Sequence, residues 1–300
     1  MKKMVSVLMT SYNREKYIGI AIESVLRQTY QNFELIIVDD SSTDKTVDIA
    51  NHFASIDKRV SVYVNKFNLG DYNNRNKAAS YASGKYLKFV DADDLIYPHT
   101  LDLMVSAMEK YPDAAYGFCY YGVQNDLHPF PYQLLPSESY NLHFFNSGLF
   151  YAGPGGAIIR RDIFNAVGGF SGKRYVGDYE LWIKFSALHN TVLFWPGLLW
   201  WRKHGEQENK YENINIDATI NRYLITVDSL NSSDCPFSAE EKKKALYNTN
   251  ILYLRKCILF FLKFKFSKSI NLFRFSLCPK YYILFALFPI NRLRKIIYKF

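Results

Sequence analysis

Two periods of hydrophobicity alternate along the first third of the chain. Met4–Thr10, Phe33–Val38 and Val60–Val64 are short, nearly continuous apolar runs rich in β-branched residues, and each predicts a buried strand. Between them the apolar residues recur at helical spacing. Ile18, Ile20, Ala21, Ile22, Val25 and Leu26 do so within Tyr17–Gln28, and Val47, Ile49, Ala50 and Phe53 follow a cap at Thr43 or Asp44. A helical pattern through Asn76–Ala82 then leads to a fourth, mostly apolar run that begins at Gly84-Lys85-Tyr86 and ends in the carboxylates of Asp91–Asp94. After it, Pro98 opens a helix with Leu101, Met104, Val105 and Met108 on one side. Strand alternating with helix predicts an α/β fold with a Rossmann-like, mostly parallel sheet flanked by helices.

In open sheets of this kind ligands bind beyond the carboxyl ends of the strands. Polar residues stand at those ends: Thr10 and Tyr12 after the first strand, Asp39 and Asp40 after the second, Asn68, Gly70 and Arg75 after the third, Asp91, Asp93 and Asp94 after the fourth. Three carboxylates within four positions repel one another unless a cation sits among them, so a divalent metal with an anionic ligand is the natural occupant. The plainer reading is a solvated turn ahead of a helix that starts at a proline. Tyr12 can stack on a base, Asp39 or Asp40 can accept a hydrogen bond from a ring N–H, and Arg75 can grip phosphate. Neither G-x-G-x-x-G nor G-x-x-x-x-G-K-[ST] is present, so no glycine loop cradles the phosphates. Gly153-Pro154-Gly155-Gly156 reads as a tight turn or a place where substrate approaches backbone.

Charge changes this picture at the C-terminal end. From Lys242 onward there are 14 Lys and Arg and no acid, which leaves 23 basic against 28 acidic residues upstream. The net charge of +9 therefore belongs to the tail, and a mildly acidic body with a basic tail argues against nucleic acid as the partner. The tail begins with a capping box at Ser238–Glu241 and runs as a helix into Leu252–Phe266. Lys263, Lys265, Lys268, Arg274, Lys280, Arg292, Arg294, Lys295 and Lys299 are then interleaved with Phe, Leu, Ile and Tyr. The uncharged run Tyr281–Asn291 is far shorter than the roughly 20 residues of a membrane-spanning helix. Peripheral membrane contact is expected, against the alternative of packing on the body or on a second subunit in a homodimer. The apolar stretch Val5–Met9 after Met1-Lys2-Lys3 is too short for a signal peptide. The four cysteines show neither metal-site nor disulfide spacing, which fits a reducing cytoplasm. Aromatics crowd Tyr116–Ala152; most are expected in the core, with some free to line a sugar site.

With these residues in view, the chain resembles the family-2 glycosyltransferases, inverting nucleotide-sugar enzymes of the GT-A fold. The resemblance is carried by Val5–Asn13, Ser24–Tyr30, Ile37–Asp44, Asn68-Leu69-Gly70, Arg75-Asn76, Gly84-Lys85-Tyr86 and Asp91-Ala92-Asp93-Asp94. It continues through Gly168-Gly169-Phe170 and Gly177–Trp182, and spans roughly residues 4 to 204. It implies that Thr10 and Tyr12 border the nucleobase, that Asp40 or its neighbour Asp39 binds the ring N–H, and that Arg75 faces ribose or diphosphate. Asp91-x-Asp93 matches the D-x-D motif, with Asp93 the direct ligand of Mg²⁺ or Mn²⁺ and Asp91 beside it. Asp178 matches the catalytic base, although the usual Glu-Asp pair is Gly177-Asp178 here. His204, in Trp201-Arg202-Lys203-His204, touches the metal or diphosphate, or else is an ordinary loop residue.

Together with the tail's charge and helical pattern, the resemblance leads to four expected segments: a donor half at 1–120, an acceptor and base half at 121–204, a connecting helical segment at 205–241 and the basic helical tail at 242–300. The implied activity is transfer of one sugar, UDP-linked by family likeness, to a saccharide or lipid-linked acceptor in cell-surface polysaccharide synthesis. The implied place is the cytoplasm, peripheral on the inner face of the membrane. No Q-x-x-R-W segment of processive synthases is evident. The alternative is a non-catalytic nucleotide-sugar-binding protein of the same fold, against which the joint presence of Asp91, Asp93 and Asp178 argues, since a sensor needs no base.

Overall fold

The computed structural model describes residues 5–119, 128–205 and 215–277, together with Tyr282 and Ala286. The tail positions Lys280, Arg292, Arg294, Lys295 and Lys299, most of the run Tyr281–Asn291, and Cys278, Tyr120 and Tyr121 lie outside the described residues. The chain divides into two compact units, Met1–Gln207 and Glu208–Phe300. The first thus combines the expected donor and acceptor halves in a single sheet.

Unit one begins β1 (Val5–Ser11), α1 (Ile18–Leu26), β2 (Phe33–Asp39), α2 (Thr46–Ile56), β3 (Val60–Val64), α3 (Asp71–Ser80) and β4 (Tyr86–Asp91). It continues with β5 (Leu95–Ile96), α4 (Thr100–Lys110), β6 (Ala114–Cys119), β7 (Tyr132–Leu134), α5 (Pro136–Asn141), β8 (Ala157–Arg160) and α6 (Arg161–Ala166). The unit closes with α7 (Gly177–Leu188), β9 (Asn190–Phe194) and β10 (Leu199–Trp200). The main sheet has the order β3-β2-β1-β4-β8-β6-β9-β7. Its first four strands are parallel, as their continuous apolar runs predict. The sheet then turns mixed, because β8 enters antiparallel between β4 and β6 and β7 lies antiparallel on β9.

The core follows the two predicted periods. Val5, Val7 and Met9 of β1, Leu35 and Ile37 of β2, Val90 of β4, Ile18, Ile22 and Val25 of α1 and Leu101, Met104 and Met108 of α4 pack as one cluster. Burial of each such side chain contributes roughly 1.5 to 3 kcal/mol. Most expected core aromatics are inside: Tyr116, Phe118, Tyr140 and Phe150 are buried, and Tyr116 stacks on Trp182 at 5.4 Å. Among the described ones Phe130, Phe144 and Phe145 are half-buried, and Tyr151 is exposed at 62%.

Helix α3 starts at Asp71, five residues before the expected Asn76. Gly70, at φ +82°, turns the chain into the helix. The residues that follow, Asn73, Asn74 and Arg75, bond through their side chains, so they leave no apolar period to read.

Lys88 lies inside the sheet and is fully buried. Its Nζ donates to Phe89 O at 3.1 Å and to Gly155 O, which fixes the Pro154–Gly156 turn. Burial depresses the ammonium to about 8. Because the folded form releases its proton before the unfolded chain does, this residue's penalty is full below pH 8 and lifts as pH rises toward the ordinary lysine value near 10.4. The expected gain across that window is on the order of 3 kcal/mol. Lys88→Met should be at least as stable as wild type at pH 7 and lose the gain at high pH. Denaturant unfolding at pH 7 and pH 10 measures both, and an unchanged pH dependence in the variant excludes Lys88 as its source.

Unit two is helical: α8 (Ile216–Asn231), α9 (Ala239–Leu262) and α10 (Phe266–Arg274). The capping box forms as expected, with Ser238 Oγ accepting from Glu241 N and Glu241 Oε2 accepting from Ser238 N. Ile220, Tyr223, Val227, Tyr253, Cys257, Phe260 and Leu272 make its core, in which Tyr223 stacks on Tyr253 at 3.9 Å. Among the described residues no helix is long and apolar enough to cross a membrane.

Candidate active site

The parallel register brings the polar strand ends together. Thr10 lies opposite Asp91 across β1 and β4, and Ser11 lies opposite Asp39 across β1 and β2. The loops that leave β1 and β2 are then fastened to each other. Asn13 N donates to Ser42 Oγ at 2.8 Å, Thr43 N to Asn13 Oδ1 at 2.9 Å, and Arg14 N to Thr46 Oγ1 at 2.7 Å. Tyr12 stands above this seam with 46% of its surface exposed, available for a flat ligand.

The two acids after β2 differ in how they are held. Asp39 accepts from Ser11 Oγ at 2.8 Å and from Ser42 N and Oγ at 2.7 and 2.6 Å. Asp40 accepts from Leu69 N at 2.8 Å, Gly70 N at 2.9 Å and Asn65 Nδ2 at 2.8 Å. Asp40 therefore fastens the entry to α3 through fixed backbone donors, whereas two of Asp39's three bonds come from serine hydroxyls that can rotate.

Every acid of Asp91–Asp94 has a partner. Asp91 Oδ1 accepts from Arg75 Nη2 at 2.7 Å, while Arg75 Nε donates to Asp71 at 2.8 Å. Burial works against the Arg75 charge, but Asp71 and Asp91 outweigh it and hold the guanidinium charged above its usual range. Its Nη1 is buried and has no hydrogen-bond partner. Asp93 Oδ2 meets Arg14 Nε at 3.0 Å and His204 Nε2 at 2.9 Å. Asp94 is buried and takes Arg202 N at 3.0 Å; burial, with the Asp91 charge beside it, pushes its carboxyl up to about 7. Arg202 Nε donates to Asp93 O at 2.9 Å, and its guanidinium lies over Tyr17 and Trp200.

His204 and Asp93 thus converge although 111 positions separate them. Short strands make the approach possible: β10 pairs with β5, immediately after Asp94, with Trp200 opposite Leu95. Two donors this close suit neighbouring positions on an octahedral ion, whose ligands at about 2.1 Å sit about 3 Å apart. Among the described residues no three His, Cys, Asp or Glu form a cluster able to hold an ion. Asp91 is instead turned to Arg75.

Asp178 lies in the first turn of α7 and accepts from Tyr179 N at 2.7 Å. The helix starts at Gly177 with Val176 as its N-cap, so Asp178 stands inside the first turn and does not cap it. Asp178 is set by Tyr72 of α3. Burial and then the Asp178 charge keep the Tyr72 phenol well above its ordinary value. The Tyr72 ring covers Gly177, where an added Cβ would come within 2.8 Å of it. This accounts for glycine in place of the usual glutamate. Asn76 completes the seam, donating to Phe170 O at 2.8 Å and accepting from Phe170 N at 2.9 Å.

Arg14, Tyr72 and Arg202 had no role in the sequence reading. Arg14 was within its reach, three residues past the first strand end. Tyr72 carried no signal, because only the structure pairs it with Gly177.

Residues 6–168 match the sequence profile of glycosyl transferase family 2. The chain belongs to this family. In Escherichia coli, the UDP-Glc:alpha-D-GlcNAc-diphosphoundecaprenol beta-1,3-glucosyltransferase WfgD is 40% identical over 107 residues, 36% of this chain and 42% of that protein. Glycosyltransferase GlyG of Streptococcus pneumoniae serotype 4 is 29% identical over 78% of this chain and 81% of its own length. Other relatives align over less: the chain spans 33% of a Haemophilus influenzae glycosyltransferase at 40% identity. Among solved structures, Staphylococcus aureus TarS 1–349 in complex with UDP-GlcNAc has the same fold, with a TM-score of 0.68 at 19% identity over 90% of this chain and 79% of that one. The mannosyltransferase PcManGT of Pyrobaculum calidifontis, in complex with GDP-Man and Mn²⁺, has a TM-score of 0.60 at 17% identity over 91% and 74%. The family 2 profile ends before Asp178 and His204, so neither residue's role follows from it.

Proposed function

We propose that this glycosyltransferase moves one sugar, with inversion, from a nucleoside diphosphate donor to a hydroxyl of a saccharide or lipid-linked acceptor. The observation that carries the reading is the convergence of Asp93, His204 and Arg14 beside Arg75 and Asp91 at the parallel strand ends. Tyr12 stacks on the base, with Thr10 at its border. Asp39, with hydroxyl partners that can turn away, accepts the ring N–H; Asp40 keeps the loop in place. The buried, unpartnered Nη1 of Arg75 is a donor awaiting a ribose or phosphate oxygen.

Asp93 and His204 are the residues that would hold Mg²⁺ or Mn²⁺, with diphosphate oxygens and water in the remaining positions. Such an ion, when bound, would supply Lewis-acid stabilisation of the charge that grows on the leaving diphosphate. Arg14 adds a fixed positive charge at the same place. On the opposite side of the reacting carbon Asp178 accepts the proton of the attacking hydroxyl, in a single displacement that inverts the anomeric centre.

The names of WfgD and of TarS's UDP-GlcNAc complex support a UDP-linked donor, WfgD's name supports a lipid-diphosphate-linked acceptor, and synthesis of a cell-surface polysaccharide is the setting that fits both. Such chemistry belongs at the cytoplasmic face of the membrane, where lipid-linked acceptors are held. A thermal-shift panel of nucleotides and nucleotide sugars, with and without Mn²⁺, tests it, because a ligand that binds only the native state raises the melting temperature. UDP or UDP-sugars with Mn²⁺ are expected to give the largest rise. No response to any nucleoside diphosphate would end the proposal.

A further inference from the structure

Unit two carries a surface that sugar transfer does not use. Where α9 ends, Phe261, Leu262, Phe264 and Phe266 project at 54, 66, 83 and 45% exposure, and Ile270 of α10 follows at 61%. Their neighbours Phe260 and Leu272 point the other way, into the unit's core. Lys263, Lys265 and Lys268 are set among these exposed side chains, and no acidic residue occurs after Glu241.

The turn itself is informative. Phe264 N donates to Phe261 O at 3.0 Å and Lys265 N to Phe260 O at 2.9 Å, which is the Schellman pattern that ends a helix. Its left-handed position is one that glycine ordinarily fills. Here Phe264 holds it, at φ +57°. A phenylalanine placed there is strained, and at 83% exposure its ring keeps one edge contact, to the equally peripheral Phe266 at 6.0 Å between ring centres. Local stability favours glycine at this position, so the ring must answer to something outside the unit.

We infer that the α9–α10 tip, Phe261 to Ile270, is a wedge that inserts into the interface of an anionic lipid bilayer. The aromatic and aliphatic side chains enter the headgroup boundary while the lysines meet lipid phosphate. Charge selects this occupant: Lys263, Lys265 and Lys268, in a stretch with no acidic residue after Glu241, are complementary to an anionic surface and repel the same lysines of a second copy. Membrane contact, expected of the basic tail at large, is thereby placed on one structural element that takes no part in the transfer chemistry.

Full-length protein is sedimented with vesicles of phosphatidylcholine alone or mixed equally with phosphatidylglycerol. Wild type is expected to bind the mixed vesicles at low salt. Phe264→Gly should weaken binding about tenfold, from the loss of one buried ring. Its melting temperature should hold or rise, since glycine relieves the backbone. Replacing Lys263, Lys265 and Lys268 by Gln should weaken binding by about fivefold per lysine at low salt, and far less at high salt. Nucleotide binding by calorimetry should be unchanged in both variants, which separates this test from that of the active site. Absence of vesicle binding in wild type overturns the wedge. A lower melting temperature in Phe264→Gly would make the ring a packing element, and a shift in sedimentation coefficient would make the tip a self-association surface; either result also overturns it.

Discussion

Asp178→Asn is expected to bind nucleotide sugar as wild type does and to turn it over about 10²- to 10⁴-fold more slowly, the range for loss of a positioned general base. The carboxylate lies in the first turn of α7 and is not one of those that Arg75 and Arg14 hold at Asp91 and Asp93, so ground-state contacts to the donor should survive its loss. An interaction used only as the acceptor proton leaves lowers kcat and kcat/KM together. Asparagine preserves the local bond to Tyr179 N and the seat against Tyr72, which keeps the helix start intact. The measurement pairs calorimetry of donor binding with release of nucleoside diphosphate in the presence of acceptor. Wild-type turnover would assign the base elsewhere.

The second large effect is expected at Asp93. Its Oδ2 is where Arg14 and His204 meet, and it is the only carboxylate oxygen of Asp91 to Asp94 with an imidazole beside it among the described contacts. Asp93→Asn removes the charge but can still accept from Arg14, so folding should persist. Mn²⁺-dependent tightening of UDP should fall by roughly 100-fold or more, since even residues that only support a metal ligand commonly contribute 10- to 100-fold. His204→Gln should lie between the variant and wild type. Calorimetry with UDP in the presence and absence of Mn²⁺ reads all three proteins. Equal Mn²⁺ dependence in Asp93→Asn and wild type would remove the metal from this site.

The strands and helices on the donor side were legible because burial writes itself into the chain as a period. β1, β2, β3 and β4 start or stop within a residue of their apolar runs, and the rule for parallel sheets then located the crevice. What hid from this reading was built from polar residues. Helix α3 has charged and amide side chains engaged on several faces, so its first turns look like loop. Asp39 and Asp40 are adjacent and alike as letters; only their partners, rotating hydroxyls against fixed backbone N–H groups, separate a ligand acceptor from a loop fastener. The convergence of His204 on Asp93 depends on the β5–β10 pairing of two-residue strands, too short to leave a hydrophobic signature. In the acceptor half, β8 runs antiparallel, a direction that no apolar run encodes.

Helix α3 also bears on how such a chain can diversify. Arg75 braces Asp91 in the expected donor half, while Tyr72 and Asn76, from the same two turns, seat Gly177 and Phe170 in the expected acceptor half. A recombination event that brought in a foreign acceptor half from residue 157 onward would set an unmatched residue 177 against the Tyr72 ring. A crossover upstream of Asp71 would carry the brace along with the half it supports. A chimera that takes residues 70–204 as one block is therefore expected to fold more stably than one joined at residue 157, because only the first keeps Tyr72 with Gly177 and Asn76 with Phe170.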